Sequence, residues 1–207
     1  MKYNRWGKNP LQDEAFAELV RRHYAACVSY VDAQVGKILN MLKASGADKN
    51  TVVVLWGDHG WNLGEHAMWG KHNLYEEALR SPLLIAYPDM PEPGASTDAV
   101  VETVDIFPTL AKLVGLPVPD ELLHGQSMLK LLNDSNEQGD TAYSYWRGKH
   151  TLRMGNFRLT RFGNKGLALY DLTSKEKETK DVAEKHPEVV EKMLAILKSK
   201  MKLNEKF

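Results

Sequence analysis

Apolar residues recur at intervals of three and four between residues 13 and 44: Phe16, Leu19, Val20, Cys27, Val31, Val35, Ile38, Leu39 and Leu42. That period predicts one long amphipathic helix, with Cys27 on its apolar stripe as a buried structural thiol. Gly46 and Asp48–Asn50 give the stop signal. The pattern then changes. Thr51–Trp56 is short, β-branched and continuously apolar, as a parallel strand covered on both faces would be. It runs into Gly57-Asp58-His59-Gly60, a break in regular structure. Residues 57–81 follow as a long connection rich in glycine, histidine, tryptophan and charge, and long connections in compact domains usually serve function. Leu83–Tyr87 reads as a second buried strand, and the prolines of Pro88–Ser96 as a surface loop. Val104–Val114 reads as a helix, with Pro108 in its first turn and Gly115 at its end. This order predicts an α/β layer with a mostly parallel sheet.

The texture changes near residue 135. Asn133–Asp140 is a polar linker. Tyr143–Arg147, Thr151–Met154, Arg158–Phe162 and Ala168–Leu172 alternate as short strands, with Gly155-Asn156 as a hairpin turn. Ser174–Lys185 is charge-rich and reads as a solvated connection. Pro187 opens a last amphipathic helix carrying Val190, Met193, Leu194, Leu197 and Met201. Two regions are therefore expected: residues 1–135 as an α/β domain, and residues 136–207 as a small antiparallel subdomain with a terminal helix.

Composition narrows the function classes. The 207 residues are 43% hydrophobic and 26% charged, ordinary for a globular chain. Lys+Arg and Asp+Glu are both 27, so the formal net charge is zero, which argues against nonspecific nucleic-acid binding. One cysteine allows no intrachain disulfide and no multi-thiolate zinc site. The longest apolar runs are too short to cross a bilayer, so no membrane association is expected. Met1–Glu14 is polar, without the hydrophobic stretch of a signal peptide, and the compartment stays open.

Asp58-His59 is the sharpest chemical feature. Ligands of α/β sheets bind beyond the carboxyl ends of strands, and a carboxylate and an imidazole placed there can face one divalent cation. The pair reads equally as a turn cap beside a surface histidine. Lys71, directly after Gly70, can offer a compact positive charge to a sulfate or phosphate oxygen, or stand as an ordinary surface lysine. His66 and His72 fit no zinc-protease spacing, which leaves them supporting or surface roles. Glu76 and Arg80, four apart in a short helix, can pair with each other.

The ordered series of motifs is more specific than any one of them. Ser29-Tyr30-Val31-Asp32-Ala33-Gln34-Val35-Gly36 comes first. Asp58 to His66 follows, then Gly70-Lys71, then Arg80-Ser81-Pro82-Leu83. Val104-Asp105-Ile106-Phe107-Pro108-Thr109-Leu110 and Gly115-Leu116 come next, and Arg158 and Leu169-Tyr170-Asp171-Leu172 complete it. This series resembles the carboxyl half of a sulfatase of the alkaline-phosphatase-like superfamily, the iduronate-2-sulfatase branch in particular. The resemblance implies a partial sulfatase α/β fold with a small carboxyl-terminal antiparallel sheet plus helix.

It also implies sulfate-ester hydrolysis, on a sulfated small molecule or glycan. Asp58 and His59 would be ligands of a divalent metal, Ca2+ by family habit, with Mn2+ or Zn2+ open because imidazole suits them at least as well. Lys71 would hold the sulfate group, and Trp61 would line the pocket. The family's nucleophile is a formylglycine made within Cys/Ser-x-Pro/Ala-x-Arg. Cys27 is followed by Val28-Ser29-Tyr30-Val31, so that motif is absent and no catalytic nucleophile is assigned in this sequence. The expectation is therefore a partial gene or processed fragment, inactive alone. The amino-terminal half, or a second copy, would be its partner. Phosphodiesterase or phosphonate hydrolysis, within the same superfamily, is the alternative enzyme reading. A non-catalytic subunit that completes a partner's fold is the alternative outside enzymology.

Overall fold

The computed structural model describes residues 8–117 and 123–204. In chain order its elements are α1 (Glu14–Ala44), β1 (Val53–Trp56), β2 (Asn62–Leu63), β3 (Trp69–Gly70), α2 (Glu76–Leu79) and β4 (Leu83–Ala86). Then come α3 (Ile106–Leu113), α4 (Leu129–Asn133), β5 (Thr141–Trp146), β6 (Lys149–Met154), β7 (Phe157–Arg161), β8 (Leu167–Asp171) and α5 (Pro187–Asn204). They fall into two compact units. The first holds the described residues up to Lys71 together with Glu77–Pro88. The second holds His72–Glu76 and the residues from Asp89 onward.

This division lies earlier than the change of texture at residue 135. The physical reason is that residues 89–135 are bonded into the carboxyl-terminal sheet. Glu102 Oε1 accepts from the Tyr143 N–H at 2.8 Å, and its Oε2 accepts from Lys200 Nζ at 2.8 Å. The Asp140 N–H donates to Val100 O at 3.1 Å.

In the first unit, α1 starts where Asp13 accepts the Phe16 N–H at 2.9 Å, an N-cap that satisfies one of the helix's open donors. The Arg21 guanidinium packs 5.4 Å from the Trp69 ring centroid, and its Nε donates to Leu63 O at 3.1 Å. These contacts tie the β2–β3 hairpin to α1. Of the helix's apolar stripe only Phe16 and Ala17 are buried, while Val28, Val31 and Ile38 are more than half exposed. Cys27 is exposed too, which corrects the expectation of a buried thiol. The stripe was correctly periodic, but within this unit nothing packs along most of it.

The strand β1 also differs from expectation. It pairs with β4 antiparallel, from Val53↔Ala86 to Trp56↔Leu83, and every ladder among the described residues is antiparallel. A continuous apolar run signals burial of both faces and carries no information about a neighbour's direction. Direction is set by the connection, and residues 57–82 bring the chain back beside β1 running the other way. Only two strands form this sheet, so Leu55, Trp56 and Leu84 remain 40%, 44% and 55% exposed.

The second unit is built on the antiparallel sheet β5-β6-β7-β8. The register places Tyr143, Leu152, Leu159 and Leu169 in one row across the four strands. Met193 and Leu197 of α5 cover that row, and Leu152, Leu159, Leu169, Met193 and Leu197 are fully buried. Each such side chain contributes roughly 1.5–3 kcal/mol of transfer free energy. The β5–β6 turn is Arg147-Gly148 with φ of +48° and +75°, and Gly155 at +51° opens the β6–β7 turn. Positive φ at both central residues is the requirement of a type I′ hairpin, whose twist matches that of the strands.

The opposite face of this sheet carries a charge problem. Arg153 and Arg158 sit directly across from each other on β6 and β7. Like charges in register repel. Glu76 resolves this: its Oε2 hydrogen-bonds Arg158 and lies 3.6 Å from Arg153 Nε. Glu178 Oε1 lies 2.7 Å from Arg158 Nε, and its Oε2 accepts the Glu76 N–H at 2.7 Å. Glu76 therefore pairs with the arginines of the sheet and not with Arg80. Ser174–Lys185 is more than a solvated connection, because Glu178 within it is only 3% exposed. A buried carboxylate of this kind persists because a cation and a backbone donor replace its water.

Candidate active site

The site grows from the end of β1. Gly57 continues the ladder by one bond, its N–H donating to Pro82 O at 3.0 Å. Asp58 and His59 follow. The Gly60 N–H donates to Ala78 O at 2.9 Å, and a Cβ at Gly60 would lie 2.1 Å from Glu77 O and 2.5 Å from Arg80 O. Only glycine lets the chain pass this close to α2 and the residues after it. That fixed backbone also orients the imidazole, because His59 Nδ1 is 2.8 Å from Gly60 O. A carbonyl only accepts, so Nδ1 carries the proton and Nε2 presents its lone pair.

Two groups meet that lone pair. Lys71 Nζ hydrogen-bonds His59 Nε2, and Asp58 Oδ2 lies 3.4 Å from it. Lys71 is delivered by β3, whose Gly70 pairs with Asn62 and has φ of +106°. The Trp61 ring lies 6.0 Å from the His59 ring, tilted by 33°. Asp58, His59, Trp61 and Lys71 therefore come together in the first unit. His59 is partly buried, with 29% of its side chain exposed, whereas the Asp58 side chain is 73% exposed.

The chemistry of this donor set fits a cation. A carboxylate oxygen and an imidazole lone pair 3.4 Å apart are both acceptors. Only a positive centre between or beside them satisfies both. The Lys71 ammonium serves the imidazole, and a divalent metal would suit the pair. Two ligands fill only part of the six to eight oxygen positions typical of calcium.

One neighbouring pairing has no signature in the order of residues. His66 Nε2 lies 3.3 Å from Glu77 Oε2, and the His66 side chain is only 9% exposed. His66 and Ala67 both have φ of +54°. Left-handed backbone costs non-glycine residues roughly 1–2 kcal/mol each. The β2–β3 loop accepts this twice and so turns the imidazole onto Glu77. The other histidine of the region, His72, packs against Trp146 in the second unit, with centroids 5.1 Å apart and the rings tilted by 42°.

Comparison with known proteins agrees with the order of motifs. A sulfatase family model matches residues 3–116, and the model of the N-sulphoglucosamine sulphohydrolase carboxyl-terminal region matches residues 64–206. A sulfatase of Formosa agariphila is 36% identical over 157 residues, covering 75% of this chain and 31% of that protein. Iduronate 2-sulfatase of Mus musculus is 37% identical over 130 residues, covering 51% of this chain and 24% of that protein. One similar solved structure holds a protein in complex with its substrate D-glucosamine-2-N,6-O-disulfate. It superposes with a TM-score of 0.82 at 26% identity, covering 92% of this chain and 42% of that one. The chain thus spans 24% to 42% of the length of these relatives. Its fold is the corresponding part of the alkaline-phosphatase-like fold, and the chain belongs to the sulfatase family.

Proposed function

We propose that this chain is the carboxyl-terminal part of a sulfatase that hydrolyses sulfate esters, of a sulfated sugar in particular. The observation that carries this reading is the meeting of Asp58 Oδ2, His59 Nε2 and Lys71 Nζ at the end of one strand. Asp58 and His59 would hold a divalent metal, Ca2+ first, with Mn2+ or Zn2+ compatible with the imidazole. Bound there, the metal supplies positive charge to the ester oxygens. Lys71 exchanges its bond to His59 for one to a sulfate oxygen. It then stabilises the negative charge that grows on the sulfuryl group. The Gly60 carbonyl keeps the His59 tautomer fixed throughout. Trp61 offers an aromatic wall to the sugar.

The nucleophile expected from the family, a formylglycine hydrate, belongs to a motif that this sequence does not contain. The working partner is accordingly the amino-terminal portion of a sulfatase. The sugar preference draws on the likeness to iduronate 2-sulfatase and to the structure holding a sulfated glucosamine.

The test grafts this chain in place of the matching segment of the Formosa agariphila sulfatase and follows 4-nitrophenyl sulfate hydrolysis. The graft should turn over. Lys71→Ala should lower kcat/KM by about a hundredfold, the usual cost of removing a charge-stabilising donor. Asp58→Asn should lower metal content by elemental analysis. A folded but inactive graft, an unchanged kcat/KM in the lysine variant, or faster turnover of an aryl phosphonate monoester would each count against the sulfatase reading.

A further inference from the structure

Residues 141–170 contain no aspartate or glutamate, yet they hold Arg147, Lys149, Arg153, Arg158, Arg161 and Lys165. In a chain of zero net charge this is a marked local concentration of cations. Arg153 and Arg158 are neutralised by Glu76 and Glu178, and Arg161 Nη1 reaches Met201 Sδ at 3.8 Å. The other three differ. Among the described residues, no carboxylate pairs with Arg147, Lys149 or Lys165.

The sheet register gathers these three. The β5–β6 turn and the β7–β8 turn lie at the same end of the sheet, beyond Trp146↔Lys149 and Arg161↔Leu167. There Arg147, Lys149 and Lys165 line a cleft of about 460 Å³ with Gly148, Phe162 and Gly163. Lys149 Nζ stands 5.7 Å from the Phe162 centroid, and the Arg147 guanidinium 5.3 Å from the Trp146 centroid. Gly148 and Gly163 both have positive φ, +75° and +59°, so the two turns place their glycines where the backbone is left-handed. Arg147 also takes the first place of its turn at φ +48°, where asparagine or glycine is the less strained choice. Folding alone does not call for a guanidinium there.

We propose that this cleft binds an anionic saccharide. Arg147, Lys149 and Lys165 hold its charged groups, with the Phe162 ring seating the Lys149 ammonium among them. Two cations on separate turns, with Lys149 opening β6 beside them, suit charges spread along a stiff chain better than one compact ion. A nucleic acid needs a groove that tracks many phosphates, and the rest of the chain supplies no basic surplus for one. The preference for sulfate over carboxylate on the saccharide rests on the sulfatase reading; the anion-binding cleft itself does not.

The experiment titrates the chain with a heparin-derived tetrasaccharide, followed by calorimetry and by the fluorescence of Trp146. A desulfated tetrasaccharide and a single-stranded oligonucleotide of equal charge run beside it. Saturable binding to the sulfated form is expected, with the desulfated form about tenfold weaker or more. The triple variant Arg147→Asn, Lys149→Ala, Lys165→Ala should weaken binding by at least about tenfold. Asparagine at 147 tolerates the left-handed backbone, and all three positions are exposed, so the fold should survive. The charge-preserving set Arg147→Lys, Lys149→Arg, Lys165→Arg should retain binding. A control set distant in sequence, Lys37→Ala, Lys43→Ala, Lys49→Ala, should bind as the parent does.

Undiminished binding by the cleft variant, equal loss in the control set, or equally tight oligonucleotide binding would overturn the proposal. The readout is binding by this chain and not turnover. An inactive graft therefore does not bear on it, and a failed titration does not bear on the sulfatase reading.

Discussion

Two glycines with opposite surroundings show how single residues set the site. Gly60 has backbone oxygens where a Cβ would go, while Gly36, inside α1, has nothing within 4 Å. Gly60→Ala must push the loop away from Glu77 and Arg80, at a cost of about 1–3 kcal/mol. Gly36→Ala removes backbone entropy from the unfolded chain and should add about 0.5–1 kcal/mol. Urea denaturation of both variants should give shifts of opposite sign, and a stable Gly60→Ala would remove the account of how His59 is held. At this scale much of the site was legible. Asp58, His59, Trp61 and Lys71 stood out because carboxylate, imidazole, indole and ammonium gather in one glycine-rich connection. The His66–Glu77 contact was not legible, since it depends on two successive left-handed residues, His66 and Ala67, and alanine has no preference for that backbone.

Elements add constraints that no residue announces. The pairing of Arg153 with Arg158 follows from the two-residue turn at Gly155-Asn156, which fixes the β6–β7 register. The carboxylates that answer it come from distant segments, Glu76 and Glu178. Removing one member leaves buried charge uncompensated, so Glu178→Ala should destabilise the chain by about 3–5 kcal/mol, with Glu178→Gln intermediate. Thermal unfolding would check this, and a near-neutral Glu178→Ala would show that water replaces the carboxylate. Tyr170 adds a pH signature to the same region. Burial first, then the nearby Tyr75, Asp181 and Glu178, push its phenol up to about 12. The folded state keeps the proton after the unfolded chain has lost it, so the stabilisation is whole below about pH 10 and disappears as pH rises toward 12. Tyr170→Phe should flatten that alkaline part of the stability profile relative to the parent, and parallel profiles would contradict the assignment. The strands and α5 were legible because alternation and the 3.6 period are local signals. The antiparallel direction of β1 and the burial of Glu178 were not, because each is decided by a partner far along the chain.

At the scale of the molecule, the second unit has a closed core under α5, whereas the first leaves apolar surface open. Val28, Val31 and Ile38 on α1 and Leu55, Trp56 and Leu84 on the two-stranded sheet are all at least 40% exposed. Exposed apolar side chains in such number on one helix and one sheet favour a cover. In a whole sulfatase the rest of the fold is the natural cover; for the chain by itself the available cover is another copy. The purified chain should therefore associate in a concentration-dependent way in sedimentation velocity, and show no turnover of 4-nitrophenyl sulfate at any concentration. Val31→Glu with Ile38→Glu should shift it toward monomer while leaving helicity unchanged, because neither side chain packs within its own unit. A parent chain that stays monomeric at high concentration would mean that this surface is tolerated in water. Clear sulfatase turnover would mean that the reaction draws its nucleophile from a residue other than a formylglycine.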